Sequence, residues 1–391
     1  VSSSSESVGL RNVLLLGMAQ ILVWGGSFFL LAVMADPIVK EMGWANQWVY
    51  GALSLGIFIS GLLAPRIGQL ISTHGGRPVL TASGLVCALG LVLMALSHSL
   101  PMFLLAWVVL GIAMAAGLYD PLFAALGQRY GIKARAAITG VTLVAGFCTT
   151  ITWPVIALLI EHFGWRNACI VYASILAVAV WPLYANALPE RAPAEKIPLN
   201  ASARNAAATI DKRVYVLVAT SFTIAAIITT AMSVQLIVLL QASGYGLAAA
   251  IGIGALLGPS QVASRLLETA IKNAHPVWTA VASAALTLLG LLVLVTTPAW
   301  ATLAIVVFGA GNGLRAIVRG TLPLALVSAA DYPKLMGKVA RPALIGQAAT
   351  PFFGGFLIDQ FGAGAALWTL SALCLANVAL TLMIWRRIRQ P

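Results

Sequence analysis

The stretch GAGNGLRAIVRGTLPLAL, Gly309 to Leu326, places two arginines inside an apolar run long enough to cross a bilayer. Arg315 and Arg319 are four residues apart, so a helix carries both guanidinium groups on one face. A cation at mid-bilayer costs about 2.5 kcal/mol or more, and such residues face a bundle interior or a watery cavity. Gly309, Gly311, Gly313, Gly320 and Pro323 surround the pair, which permits close helix contact and local bending. One reading has the arginines snorkelling to the cytoplasmic edge. The other, adopted as the expectation, has them facing an internal pathway.

The rest of the chain has the same character. Its 391 residues are 60% hydrophobic and 9% charged, with a mean hydropathy of +0.96, a balance that belongs to a polytopic membrane protein. The opening Val1–Ser7 is polar and the first apolar run exceeds a signal-peptide core, so no cleavable signal is expected. A net charge of +12 invites a nucleic-acid partner, but the basic residues lie between apolar runs, as orientation signals do. Cys87, Cys148, Cys169 and Cys374 lack any metal-binding spacing and read as small core residues, with no metal site or cofactor expected.

Twelve apolar segments can be counted, giving an all-α membrane protein. The expected organisation is a cytoplasmic tail over 1–11, a six-helix bundle over 12–187, a cytoplasmic linker over 188–212, a second six-helix bundle over 213–386 and a tail over 387–391. Proline and mixed charge fill the linker. With the N-terminus inside, the turns holding Arg66, Arg77, Arg129, Lys133 and Arg135 fall on the cytoplasmic side. The opposite loops hold only Lys40 and Arg166, alongside Asp36, Glu41, Glu161 and Asp359. That asymmetry puts both termini in the cytoplasm.

The halves resemble each other. Gly140 and Pro154 are fourteen apart, as are Gly337 and Pro351, and IEHFG (160–164) answers IDQFG (358–362). Gly117–Leu118 likewise answers Gly313–Leu314, all at a shift of about 197 residues. A duplicated six-helix half is one architecture of secondary transporters.

The turn GQLISTHGGRPVL, Gly68 to Leu80, resembles the loop signature of the major facilitator superfamily. Gly68, Gly75, Gly76 and Arg77 fall on that pattern, while Ser72 stands where the family has an aspartate and Thr73 where it has a base. The aspartate helps to latch the cytoplasmic gate against segment eleven, so the resemblance puts this latch in doubt. Ser72 remains able to hydrogen-bond a helix terminus. The Gly164–Arg166 triplet GWR is a further feature of the superfamily. GLYDPLFAAL (117–126) and GPSQVASRLLE (258–268) are similar to a bacterial subgroup that includes arsenite-efflux permeases. The resemblance covers essentially the whole chain. It implies two pseudo-symmetric six-helix bundles in a bacterial inner membrane, acting as a monomer.

In that family segments one, four, seven and ten line a central cavity. The repeat maps Asp120 near Ala316–Ile317, between Arg315 and Arg319, so an acid and two bases are expected at similar depth. They serve either as a permanent brace or as a proton carrier and an anion site. Gln20, Trp24, Tyr119, Gln235, Asn312 and Gln347 are the polar and aromatic candidates for the pathway wall. Arg77, Ser72, Arg265, Glu268 and Arg341 are the expected gate residues. Arg265 and Glu268 are three apart and able to pair on one face, and Arg341 is placed to neutralise a carboxylate such as Asp331.

These residues point to a secondary active transporter that moves a small polar or anionic solute, coupled to protons, in the direction of efflux. Uptake or exchange of small organic anions and metalloid export are the alternatives. No phosphate-cradling loop is present to couple ATP, so a proton gradient is the expected energy source. An enzyme would need a nucleophile or metal cluster inside the bundle, and His74, His98, His162 and His275 all lie near segment ends. A sensor or scaffold would need a soluble signalling domain, and no polar stretch here is long enough for one.

Overall fold

The computed structural model describes residues 8–188, 211–270 and 275–389, nearly all of them helical. Residues 1–7 of the expected tail and 189–210 of the expected linker lie outside that set, as do 390 and 391. The helicity has a simple cause: in lipid, backbone N–H and C=O groups have no water to turn to, and a helix satisfies them internally.

The helices are α1 (Leu10–Gly25), α2 (Leu31–Met42), α3 (Asn46–His74), α4 (Gly76–Ala95), α5 (Leu100–Gly117), α6 (Tyr119–Tyr130), α7 (Ala134–Ala145) and α8 (Cys148–Ala187). They continue as α9 (Lys212–Ala242), α10 (Leu247–Ala255), α11 (Leu257–Ala270), α12 (Pro276–Thr296), α13 (Ala301–Leu324) and α14 (Tyr332–Arg389). Among the described residues, eight helical stretches are long and apolar enough to cross a membrane. Two of them, of 88 and 57 residues, far exceed the roughly 20 that one crossing needs.

Glycine makes the sharp turns inside α8 and α14. Gly164 (φ 74°, ψ 163°) and Gly362 (φ 83°, ψ 165°) share one conformation that a side chain would strain. They close the IEHFG and IDQFG repeats, so the repeat seen in the sequence recurs as a repeated turn.

Some segments expected to be continuous are broken. The fourth divides at Leu118, where the backbone is extended (φ −81°, ψ −165°). Pro121 has no N–H to donate to the carbonyl of Gly117 four residues earlier, so the helix restarts there. Pro259 stands in the same relation to Ala255, the last residue of α10. The first segment is interrupted over 26–30, where the chain passes close to α8. A Cβ on Gly25 would meet Cγ2 of Thr152 at 2.5 Å and the Tyr172 hydroxyl at 2.6 Å.

The chain divides into two compact units, Val1–Thr209 with Leu326–Arg341, and Ile210–Ala325 with Pro342–Pro391. In the N-terminal unit α1 packs along α8, and α4 against α5 and α8. In the C-terminal unit α13 packs along α12 and α11, around a core that includes Met232, Leu291, Ile305, Phe308 and Cys374. The start of α14 clusters with the N-terminal unit: Gly68 of α3 lies against Pro333 and Gly337, and Gly337 against Ala64 and Pro65.

Candidate functional site

Asp120 sits in the first turn of α6, directly after the break at Leu118. The positive end of a helix dipole is a favourable place for a carboxylate. Tyr332, fully buried at the start of α14, lies within electrostatic range of Asp120. Tyr119 and Trp24 meet beside it with ring centroids 4.9 Å apart. Trp24 also contacts Phe28 and Phe29 in the interruption of the first segment, and Tyr119 stacks on Phe123.

Gln20 has a different position from the other pathway candidates. It is 0% exposed, and its amide donates to the Gly117 carbonyl at 2.7 Å and to the Tyr184 hydroxyl at 2.8 Å. Its oxygen accepts from Trp24 Nε1 at 3.0 Å, and Tyr184 in turn donates to Gly117 at 3.3 Å. The carbonyl orphaned by Pro121 therefore has two side-chain donors. Tyr184 was not visible as a participant in the sequence, although the Gly117–Pro121 spacing signals that a carbonyl there needs a partner.

In the C-terminal unit, Arg265 is 6% exposed and Glu268 7%. Arg265 Nε donates to the Gly313 carbonyl at 3.3 Å and a terminal nitrogen to Gln261 Oε1 at 3.4 Å, which ties α11 to α13. Glycine at 313 makes that approach possible, since a Cβ would run into Gln261 and Ser264. Asn312 accepts from Thr229 Oγ1 at 2.8 Å, joining α13 to α9. Gln235 is buried against Gly354, and Gln347 is half-buried.

Arg315 and Arg319 are both half-buried on α13, but their surroundings differ. Arg315 lines a cavity inside the C-terminal unit together with Ser221, Thr229, Ser283, Thr287 and Asn377, and Arg319 is not part of that lining. Asp120 belongs to the N-terminal unit and both arginines to the C-terminal one.

Two of the gate candidates have local partners. Ser72 engages through its backbone carbonyl, which accepts from Gln128 Nε2 at 3.0 Å, and its hydroxyl caps no helix terminus; Gly75, which precedes α4, leaves no side-chain cap to be made. Asp331 is held by Ser328, whose hydroxyl donates to it at 2.8 Å within a turn, and Arg341 is exposed. Arg77 lies in the first turn of α4, half-buried, its carbonyl bonded by Thr81 at 2.8 Å.

The GWR triplet forms a clamp that the sequence did not spell out. Arg166 Nε pairs with Glu41 Oε1 at 2.9 Å, and Trp165 Nε1 donates to the other oxygen at 2.7 Å. The same guanidinium reaches the carbonyls of Ala95 and Ser97, gathering the ends of α2 and α4 at the turn inside α8. All four cysteines are buried and free, and among the described residues no three His, Cys, Asp or Glu side chains gather as a metal site.

Residues 16–340 match the family model described as Major Facilitator Superfamily. Human monocarboxylate transporter 14 is 34% identical over 175 residues, which cover 41% of this chain and 33% of that protein. Human monocarboxylate transporter 2 is 27% identical over 140 residues, covering 35% and 27%. The matched stretch thus spans about a third or less of each relative's length. Among solved structures, the human organic anion transporter MFSD10 aligns with a TM-score of 0.71 at 16% identity, covering 95% of this chain and 97% of its own. The proton:xylose symporter XylE aligns with a TM-score of 0.72 at 14% identity, covering 96% and 95%.

Proposed function

This chain belongs to the Major Facilitator Superfamily, and on that premise we propose that it is a proton-coupled secondary transporter of small organic monocarboxylates. The observation that carries the reading is the cation content of the C-terminal unit. Arg265, Arg315 and Arg319 stand within spanning stretches of that unit, where a positive charge is costly unless it has work to do. A carboxylate suits the planar, bidentate geometry of a guanidinium. The names of the sequence relatives support this substrate class over arsenite.

In this reading Asp120 carries the proton and Arg319 reads the substrate carboxylate. Trp24 and Tyr119 pack against each other in the N-terminal unit that carries Asp120. Gln20 acts through the backbone that it holds. Arg265 and Glu268 brace α11 against α13. A cycle linking one proton to one anion runs in whichever direction the two gradients dictate, so efflux and uptake are regimes of one mechanism. We further propose twelve crossings with both termini cytoplasmic, in a bacterial inner membrane, an orientation supported by the placement of basic residues.

The test is flux in proteoliposomes loaded with labelled lactate or pyruvate, with and without an imposed pH gradient. Accumulation that follows the proton gradient and is competed by other monocarboxylates is expected. Failure of folded, reconstituted protein to move any member of a panel from acetate to phenylpyruvate would overturn the substrate class. Flux indifferent to the pH gradient would overturn the coupling.

A further inference from the structure

The cavity in the C-terminal unit lies between α9, α12, α13 and the last part of α14, and has a volume of about 30 Å³. By the usual measure of about 10–15 Å³ per water, that admits two waters or one small ion. The lining carries a single charge, the Arg315 guanidinium, and it is positive.

Most of the hydroxyl protons around the cavity are already committed. Ser283 donates to the Gly311 carbonyl at 2.7 Å, Thr287 to the Ser283 carbonyl at 3.0 Å, and Thr381 to the Val378 carbonyl at 2.8 Å. Asn377 is the exception. It is 6% exposed, and its Oδ1 accepts from Ser221 Oγ at 2.6 Å, which fixes the orientation of the amide. Its NH₂ group then has no protein acceptor among the described residues, and Asn377 is one of the residues that line the cavity. A donor in so small a cavity is satisfied by an acceptor held against it, and a charged acceptor bonds more strongly than a neutral one. The apolar walls, Phe222, Ile228, Val318 and Leu322, disfavour a strongly hydrated one.

We propose that this cavity binds a small monovalent anion, of halide or formate size, between the Arg315 guanidinium and the Asn377 amide. The ion is resident in the C-terminal unit and is distinct from the transported substrate. Its site stands on the cavity, the Arg315 guanidinium and the Asn377 amide, and does not depend on the chain carrying monocarboxylates.

The full chain, purified in detergent, is unfolded thermally in sodium bromide, chloride or formate and, at matched ionic strength, in gluconate or sulfate. A saturable rise in unfolding temperature is expected for the small monovalent anions and none for the large or divalent ones. Asn377→Leu removes the donor and should weaken the bromide response about tenfold or more, as for a lost hydrogen bond to a charged group. Asn377→Asp, nearly identical in shape, supplies a negative charge in place of the ion. It should abolish the response, and keeps the test decisive if the leucine variant does not fold. No response in folded wild-type protein would leave the cavity to water and overturn the proposal. An equal response in wild type and both variants would overturn it as well, by showing that the ion binds elsewhere. Lactate flux of the wild type in gluconate medium, read separately, reports on the transporter reading and not on this site.

Discussion

The side-chain amide of Gln20 donates to the Gly117 carbonyl oxygen at 2.7 Å, the acceptor that Pro121, four residues on, cannot reach with an N–H. This bond links α1 to the break between α5 and α6, and the break puts Asp120 at a helix start. Gln20→Leu removes the shorter of the two side-chain bonds to that carbonyl and should cost about 0.5–1.5 kcal/mol, the net worth of a typical hydrogen bond. Pro121→Ala in the leucine background returns a main-chain N–H to Gly117 and should recover part of the loss. Denaturation of the two single variants and the double variant measures the coupling. Strictly additive costs would show that Gln20 and Pro121 do not serve the same carbonyl.

Asp120 is the proposed proton carrier. Asp120→Asn keeps the shape and a hydrogen-bonding side chain but cannot change charge. Uphill, gradient-driven flux should fall to background, whereas substrate exchange at equal concentrations should persist. Uphill flux with the wild-type pH dependence in the asparagine variant would remove Asp120 from coupling.

What the sequence disclosed divides along physical lines. Hydropathy reports burial in lipid over whole segments, so the helical membrane character could be read directly. The internal repeat was readable because identical turns demand glycine at identical places, here Gly164 and Gly362. The partnerships were harder to see. Arg166 with Glu41, and Gln20 with Tyr184, join residues more than a hundred positions apart, and spacing along the chain says nothing of such distances. Asn377 is a lone amide in the apolar run LCLANVAL, which is itself a signal. A polar group there needs a partner, and the sequence does not say which. At Ser72 a hydroxyl near a helix start suggests a cap, and the structure adds a bond from Gln128 to its carbonyl that spacing does not disclose.

Gly68 and Gly337 allow α3 and the start of α14 to touch backbone to backbone. A Cβ on Gly68 would lie 3.2 Å from Gly337 Cα and would also strike the Pro333 carbonyl, which is main chain and cannot swing aside. Overpacking of this kind costs about 1–3 kcal/mol. Gly68→Val should therefore weaken the packing of Leu326–Arg341 onto α3 and raise labelling of a cysteine placed at Ala64. Gly51→Val, at a glycine with nothing within 4 Å of its Cβ, is the control and should leave labelling unchanged. Identical labelling in the two variants would mean that the close contact is not holding the segment.

Arg319 gives the sharpest separation of the two readings with which the arginine pair began. It is half-buried on α13 beside Gly320, with Pro323 one turn further on, and it lies outside the Arg315 cavity. Arg319→Lys retains the charge but loses the planar fork that engages a carboxylate through two parallel bonds. If Arg319 reads the substrate, the lysine variant should bind monocarboxylate about tenfold more weakly, and the alanine variant should lose more, as expected when a charge-assisted hydrogen bond is removed. If the side chain snorkels to the membrane edge, a flexible ammonium does the same work, and lysine should match wild type while alanine alone is impaired. Substrate binding and flux measured for both variants, on protein shown to be folded, distinguish these outcomes. Near wild-type behaviour in both would place substrate recognition on another residue, with buried Arg265 the next to be replaced.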